Sequence, residues 1–110
     1  MPKQLREYRI RFERVAPGES PYPAYPKNLG LRSKLGGEPD WAQNDESPAC
    51  PDCGGEMSFV GQIDSMEHNE DRNPHRQDYD EQDFMFGDVG IIYIFFCRDC
   101  LVSHSVFQCG

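Results

Sequence analysis

Three features of the sequence predict a small, mainly β, single domain across residues 1–110. Two Cys-x-x-Cys pairs stand at 50–53 and 97–100, an apolar run rich in β-branched and aromatic residues (89–96) enters the second pair, and a run of similar kind (101–107) leaves it. Together they describe a zinc-ribbon-like four-cysteine site with a β-hairpin core, in which strands carry the apolar surface and tight turns carry the thiols. A chain of 110 residues is the size of one domain. One this short buries only about two thirds of its unfolded surface, so a metal staple is a natural supplement.

The elements follow in order. Over residues 6–15, Tyr8, Ile10 and Phe12 alternate with Arg9, Arg11 and Glu13, the period of a half-buried strand. Residues 17–26 contain four prolines, which remove backbone donors and fix φ, so this stretch reads as a rigid connector that packs its tyrosines on the domain. Gly36 and Gly37 permit φ values closed to other residues and mark a tight bend, and Trp41 just after it reads as a core anchor. Residues 57–63 are a short apolar run of strand type.

From 64 to 88 the pattern stops: nine acidic residues and two arginines leave no apolar face, which predicts an exposed acidic insertion. Residues 89–96 form the most apolar run and should be the central strand, with 101–107 returning as its hairpin partner.

Net charge is −8, unevenly spread: residues 1–34 carry eight Lys/Arg against three Asp/Glu, and residues 35–110 carry three against sixteen. Such an acidic surface repels phosphate backbones and attracts basic proteins, so direct nucleic-acid binding is not expected. No apolar run reaches the roughly 20 residues of a membrane span, and the charged opening does not resemble a signal peptide. No membrane partner is expected, and the cytoplasm is the expected compartment. Thiols stay reduced there, which favours a metal site over disulfides.

Cys50, Cys53, Cys97 and Cys100 are the predicted ligands. A two-residue gap lets both sulfurs of a pair point into one concavity, and two such knuckles supply four soft ligands in a tetrahedron with no open position for water. The expected cofactor is Zn2+. Four thiolates also suit an iron–sulfur cluster, but paired knuckles on strands are the zinc-ribbon arrangement. A redox dithiol needs a cysteine at a helix N-terminus, and neither pair opens a helical pattern. The 43 residues between the pairs exceed the usual spacing of roughly 15–20 for a ribbon, an excess that the acidic insertion explains. Cys109 reads as a free thiol and His104 as a strand residue. No phosphate-binding glycine loop, Gly-x-Ser-x-Gly or His-Glu-x-x-His motif is present, so no enzymatic activity is expected.

The run Ser33-Lys34-Leu35-Gly36-Gly37-Glu38-Pro39-Asp40-Trp41, the stretch from Cys50-Pro51-Asp52-Cys53-Gly54-Gly55 to Gln62-Ile63, and Tyr93-Ile94-Phe95-Phe96-Cys97-Arg98-Asp99-Cys100 form a pattern. It resembles the N-terminal zinc domain of the programmed cell death protein 2 family and the bacterial YwqG-like family, over about residues 30–103. The resemblance implies a mainly β, zinc-bound protein-interaction domain. In the eukaryotic branch it implies a chaperone shielding a basic ribosomal protein.

Together these readings predict a non-enzymatic interaction module whose acidic surface masks a basic protein, as an immunity protein against a toxin or as a chaperone-like binder. Asp78, Asp80, Glu81 and Asp83 are the expected partner-binding residues. The alternatives are a zinc-ribbon nucleic-acid-associated protein, which would need basic side chains near the knuckles where only Arg98 stands, and a metal-dependent enzyme.

Overall fold

In a computed structural model, the described residues are 7–24, 27–28, 30–64 and 90–109. They form one antiparallel sheet of four strands, β1 (Lys34–Leu35), β2 (Ser58–Asp64), β3 (Ile91–Cys97) and β4 (Val102–Gln108), lying side by side in chain order. The fold is therefore mainly β, and β3 and β4 make the expected hairpin around the second cysteine pair.

β3 is apolar at every position because strands flank it on both sides. Ile91, Tyr93, Phe95 and Cys97 on one face are at most 4% exposed, while Ile92, Ile94 and Phe96 on the other are half-buried. Trp41 packs on the buried face, its ring centroid 4.5 Å from Tyr93 and 5.8 Å from Phe95, and Phe59 meets Phe95 edge-on at 5.6 Å. Trp41 is thus the anchor its position suggested.

β2 shifts register between Phe59 and Gly61. At Gly61 an added Cβ would lie 2.7 Å from the Lys34 carbonyl oxygen, so only glycine lets β1 approach here. Gly36 and Gly37 then turn the chain at φ 74° and 71°.

Three polar side chains, one from each long strand, hold the segment that carries Trp41. Gln62 Oε1 accepts from the Asp40 N–H at 2.9 Å. Tyr93 donates its hydroxyl to the Asp40 carbonyl at 2.7 Å and accepts from the Ala42 N–H at 2.9 Å. Gln108 accepts from the Gln43 N–H at 2.9 Å and donates to the Asn44 carbonyl at 2.6 Å. Residues 40–44 therefore cross the sheet as a bar fastened through its backbone, which satisfies these buried polar groups.

Two expectations are corrected. Residues 7–15 form no strand: Ile10 and Phe12 are 74% and 78% exposed. Alternation specifies which side chains share a face but supplies neither a neighbouring strand nor a core to receive them. Asp64, assigned to the start of the exposed insertion, is instead the buried last residue of β2. It receives Arg32 through Nε at 2.8 Å and Nη2 at 2.8 Å, and its Oδ2 also accepts the Gly30 N–H at 2.9 Å. A bidentate guanidinium with backbone support offsets the cost of burying this side chain. The rest of the predicted insertion, including Asp78, Asp80, Glu81 and Asp83, lies outside the described residues.

Candidate metal centre

Each cysteine pair sits on the same backbone turn. In the first, the Gly54 N–H donates to the Cys50 carbonyl at 2.8 Å, and in the second the Leu101 N–H donates to the Cys97 carbonyl at 2.8 Å. The residue after each second cysteine takes a left-handed conformation, φ 74° at Gly54 and 58° at Leu101. Glycine adopts this freely, whereas leucine adopts it at a cost of roughly 1–2 kcal/mol. The first knuckle is closed further by the Cys50 N–H to the Gly55 carbonyl at 2.8 Å, and the second joins β3 to β4 directly.

The sheet brings the two turns together. The sulfurs of Cys50, Cys53, Cys97 and Cys100 all lie within 4.8 Å of one another, and Cys53 and Cys97 Sγ are 3.8 Å apart. A zinc tetrahedron with Zn–S bonds of 2.3 Å has edges of about 3.8 Å, so the donor set fits that ion in number, softness and size. All four predicted ligands are therefore in one cluster, whereas Cys109 stands apart from it as a half-buried free thiol. Cys50 and Cys97 are buried, Cys100 is half-buried and Cys53 is exposed, so one side of the cluster faces water.

Without a cation the thiols of Cys50, Cys53 and Cys100 are shifted by their neighbours. Backbone N–H groups, that of Cys53 foremost, draw the Cys50 thiol down to about 7 against the effect of burial. The Gly55 N–H pulls Cys53 down, but hydrogen bonding to Cys50 and Cys97 outweighs it and the net shift is upward. Cys100 is pushed up to about 12, chiefly by its hydrogen bond with Cys53 and then by burial. The metal-free cluster thus holds protons on Cys53 and Cys100 in the neutral range, and a bound cation must displace them.

Among the described residues no helix is long and apolar enough to cross a membrane. The functional features that sequence reasoning missed are polar residues inside strands. Gln62 and Gln108 are each 2% exposed, and their positions beside apolar runs were the available signal.

No family model and no solved structure matches the chain. Over 95 residues it is 30% identical to the uncharacterized protein YpfL of Salmonella typhimurium, an alignment covering 84% of this chain and 19% of that protein. The chain spans about a fifth of the length of that curated relative.

Proposed function

We propose that the four thiolates hold one zinc ion as a structural clamp, and that the clamped sheet is a non-enzymatic module that binds a basic protein. The observation that carries the first half is the closeness of four sulfurs on two matched turns, which leaves no coordination position for a substrate. Zinc would supply charge neutralisation for the thiolates and a link between the first knuckle and the hairpin. The chain's own residues do the positioning, through the N–H groups of Gly54 and Leu101 that close each turn.

The second half is supported by charge and by resemblance. Residues 35–110 carry sixteen Asp/Glu against three Lys/Arg, a surplus that attracts cationic partners and speeds their encounter. The likeness to the programmed cell death protein 2 and YwqG-like families implies an interaction role. Immunity against a basic toxin and chaperoning of a basic client both use this chemistry, and the acidic stretch with Asp78, Asp80, Glu81 and Asp83 is the proposed recruiting segment.

Metal analysis of the purified chain should return one zinc per molecule, and competitive titration should show its affinity rising with pH. Each displaced proton contributes about tenfold per pH unit, so losing those of Cys53 and Cys100 alone gives at least about a hundredfold per unit in the neutral range, and acid releases the metal. Iron, or a folded protein with no metal, would overturn the clamp. Proteins cross-linked to the chain in its own cells should be basic, with association slowed by salt and by neutralising Asp78, Asp80, Glu81 and Asp83. An acidic partner, or a salt-insensitive on-rate, would overturn the interaction reading.

A further inference from the structure

The four sulfurs of the cluster are not equally placed. Cys50 and Cys97 are 2% and 4% exposed and Cys100 is half-buried, whereas Cys53 is exposed. The two residues after Cys53 are Gly54 and Gly55, and a Cβ at position 55 would stand 3.4 Å from Cys53 Sγ. The sulfur is therefore bare on a side that any larger residue at 55 would cover. Residues 51–56 are all exposed, so this part of the first knuckle has room to adjust, while Cys97 ends the central strand and is paired with Val102.

A ligand of a closed zinc site is a thiolate, and the thiolate is the form that oxidants attack. Susceptibility follows thiolate character and access together, and within the cluster Cys53 has the greater access. Cys97 Sγ lies 3.8 Å from Cys53 Sγ, and an S–S bond of about 2.0 Å requires the two to close by about 1.8 Å. Joining Cys53 to Cys50 instead would disturb the turn that Cys50 closes, its carbonyl accepting the Gly54 N–H and its own N–H donating to the Gly55 carbonyl.

We propose that Cys53 is an oxidation site, at which a hydroperoxide converts the centre from a metal clamp into a Cys53–Cys97 disulfide with release of the ion. The inference rests on the zinc reading above. In the first step the Cys53 sulfur attacks the terminal oxygen of the hydroperoxide. An S–O bond forms, the O–O bond breaks, sulfur gives up two electrons, and the other oxygen leaves and takes a proton. In the second step the Cys97 thiolate attacks the sulfenic sulfur of Cys53, an S–S bond forms, the S–O bond breaks, and the departing hydroxide takes a proton to become water. With hydrogen peroxide, two thiolates, one peroxide and two protons give one disulfide and two waters. Cys50 and Cys100 are then the only thiolates left, half the set that a structural zinc site uses. The new bond still ties the first knuckle to the hairpin, so the sheet persists after the metal leaves, and a reducing thiol restores the site.

The full, zinc-loaded chain is treated with hydrogen peroxide, and released zinc is read with a chromophoric chelator. Release should be first order in peroxide, peptide mapping should find the Cys53–Cys97 disulfide, and dithiothreitol should return the chain to one zinc. Gly55 does not have a positive φ, so Gly55→Ala fits the backbone. That variant should keep its zinc and release it at least about threefold more slowly, because the methyl group covers the sulfur. Cys53→His leaves a Cys3His set and should slow release at least about tenfold. Cys109→Ser should release zinc at the parent rate. A chain that purifies without zinc would overturn the clamp and this inference together, whereas in a chain that holds zinc only the oxidation is on trial. There, an unchanged rate in Gly55→Ala, a disulfide that omits Cys53 or joins it to Cys50, or zinc retained in peroxide sufficient to oxidise Cys109 would each overturn the proposal.

Discussion

The two cysteine knuckles share a backbone path and differ in what holds them. The first, residues 50–55, is closed by one isolated bridge between Ala49 and Glu56, packs Cys50 into the core and leads into β2. The second is the turn of the β3–β4 hairpin, fixed by seven paired residues on each side. The first has glycine at its left-handed position and the second has Leu101, 75% exposed and strained. The hairpin tolerates the strain because the strands over-determine the turn. The first knuckle is closed by a single bridge, and a metal held by the four cysteines would link it to the hairpin.

The largest expected effect breaks that link. Cys97→Ser should abolish tight metal binding and with it the cooperative melt, because apparent binding energies near 10 kcal/mol or more couple directly to folding in small Cys-rich zinc domains. Cys109→Ser, outside the cluster, should melt like the parent. Circular dichroism melts and metal content of both variants check this, and equal losses would mean the ligand set is wrong. In the chelated parent, hydrogen exchange should rise first in residues 50–56 and later in the hairpin. The opposite order would reverse the comparison.

An intermediate effect lies at the far end of β2, where Asp64 receives Arg32. Asp64→Asn leaves a buried guanidinium without its counter-charge and should cost about 3 kcal/mol. In a domain of this size that is a fall in Tm of roughly 12 °C or more. Metal stoichiometry should stay at the parent value, since neither knuckle touches the pair. The double variant Arg32→Met, Asp64→Leu should recover much of the loss, because no buried charge is left unpaired.

The smallest effect sharpens the comparison. Leu101→Gly relieves a left-handed leucine and should raise stability by up to about 1 kcal/mol, the strain released less the extra entropy of an unfolded glycine. Gly54→Ala, where nothing lies within 4 Å of the new Cβ, should lower it by a similar amount through conformation alone. Thermal melts at saturating zinc read both.

Legibility in the sequence followed the range of the interaction. The knuckles were readable because ligand spacing is local: two residues between cysteines already determine that both sulfurs share a turn. β3 was readable because a continuous run of β-branched and aromatic residues marks a strand with one face buried and the other half-buried. Asp64 was not, because its partner Arg32 is 32 residues away and it stands at the head of an acidic stretch that looks uniformly solvated. Residues 7–15 failed for a related reason, since a period of two says how a strand would sit but not whether a sheet edge within the same chain receives it. Gln62, Tyr93 and Gln108 were hidden because their partners are backbone atoms, which carry no residue-specific signal.

That last arrangement divides tolerance to change unevenly between the crossing segment and the sheet beneath it. Gln62, Tyr93 and Gln108 grip peptide groups rather than side chains at 40, 42, 43 and 44. Ala42 and Asn44 can therefore vary widely without altering the path, provided neither becomes proline at position 42, where the N–H is bonded. The three gripping residues have no such latitude. A library randomised at 42 and 44 should return many folded members and supply an exposed place to graft new contacts, while one randomised at 62, 93 and 108 should return few.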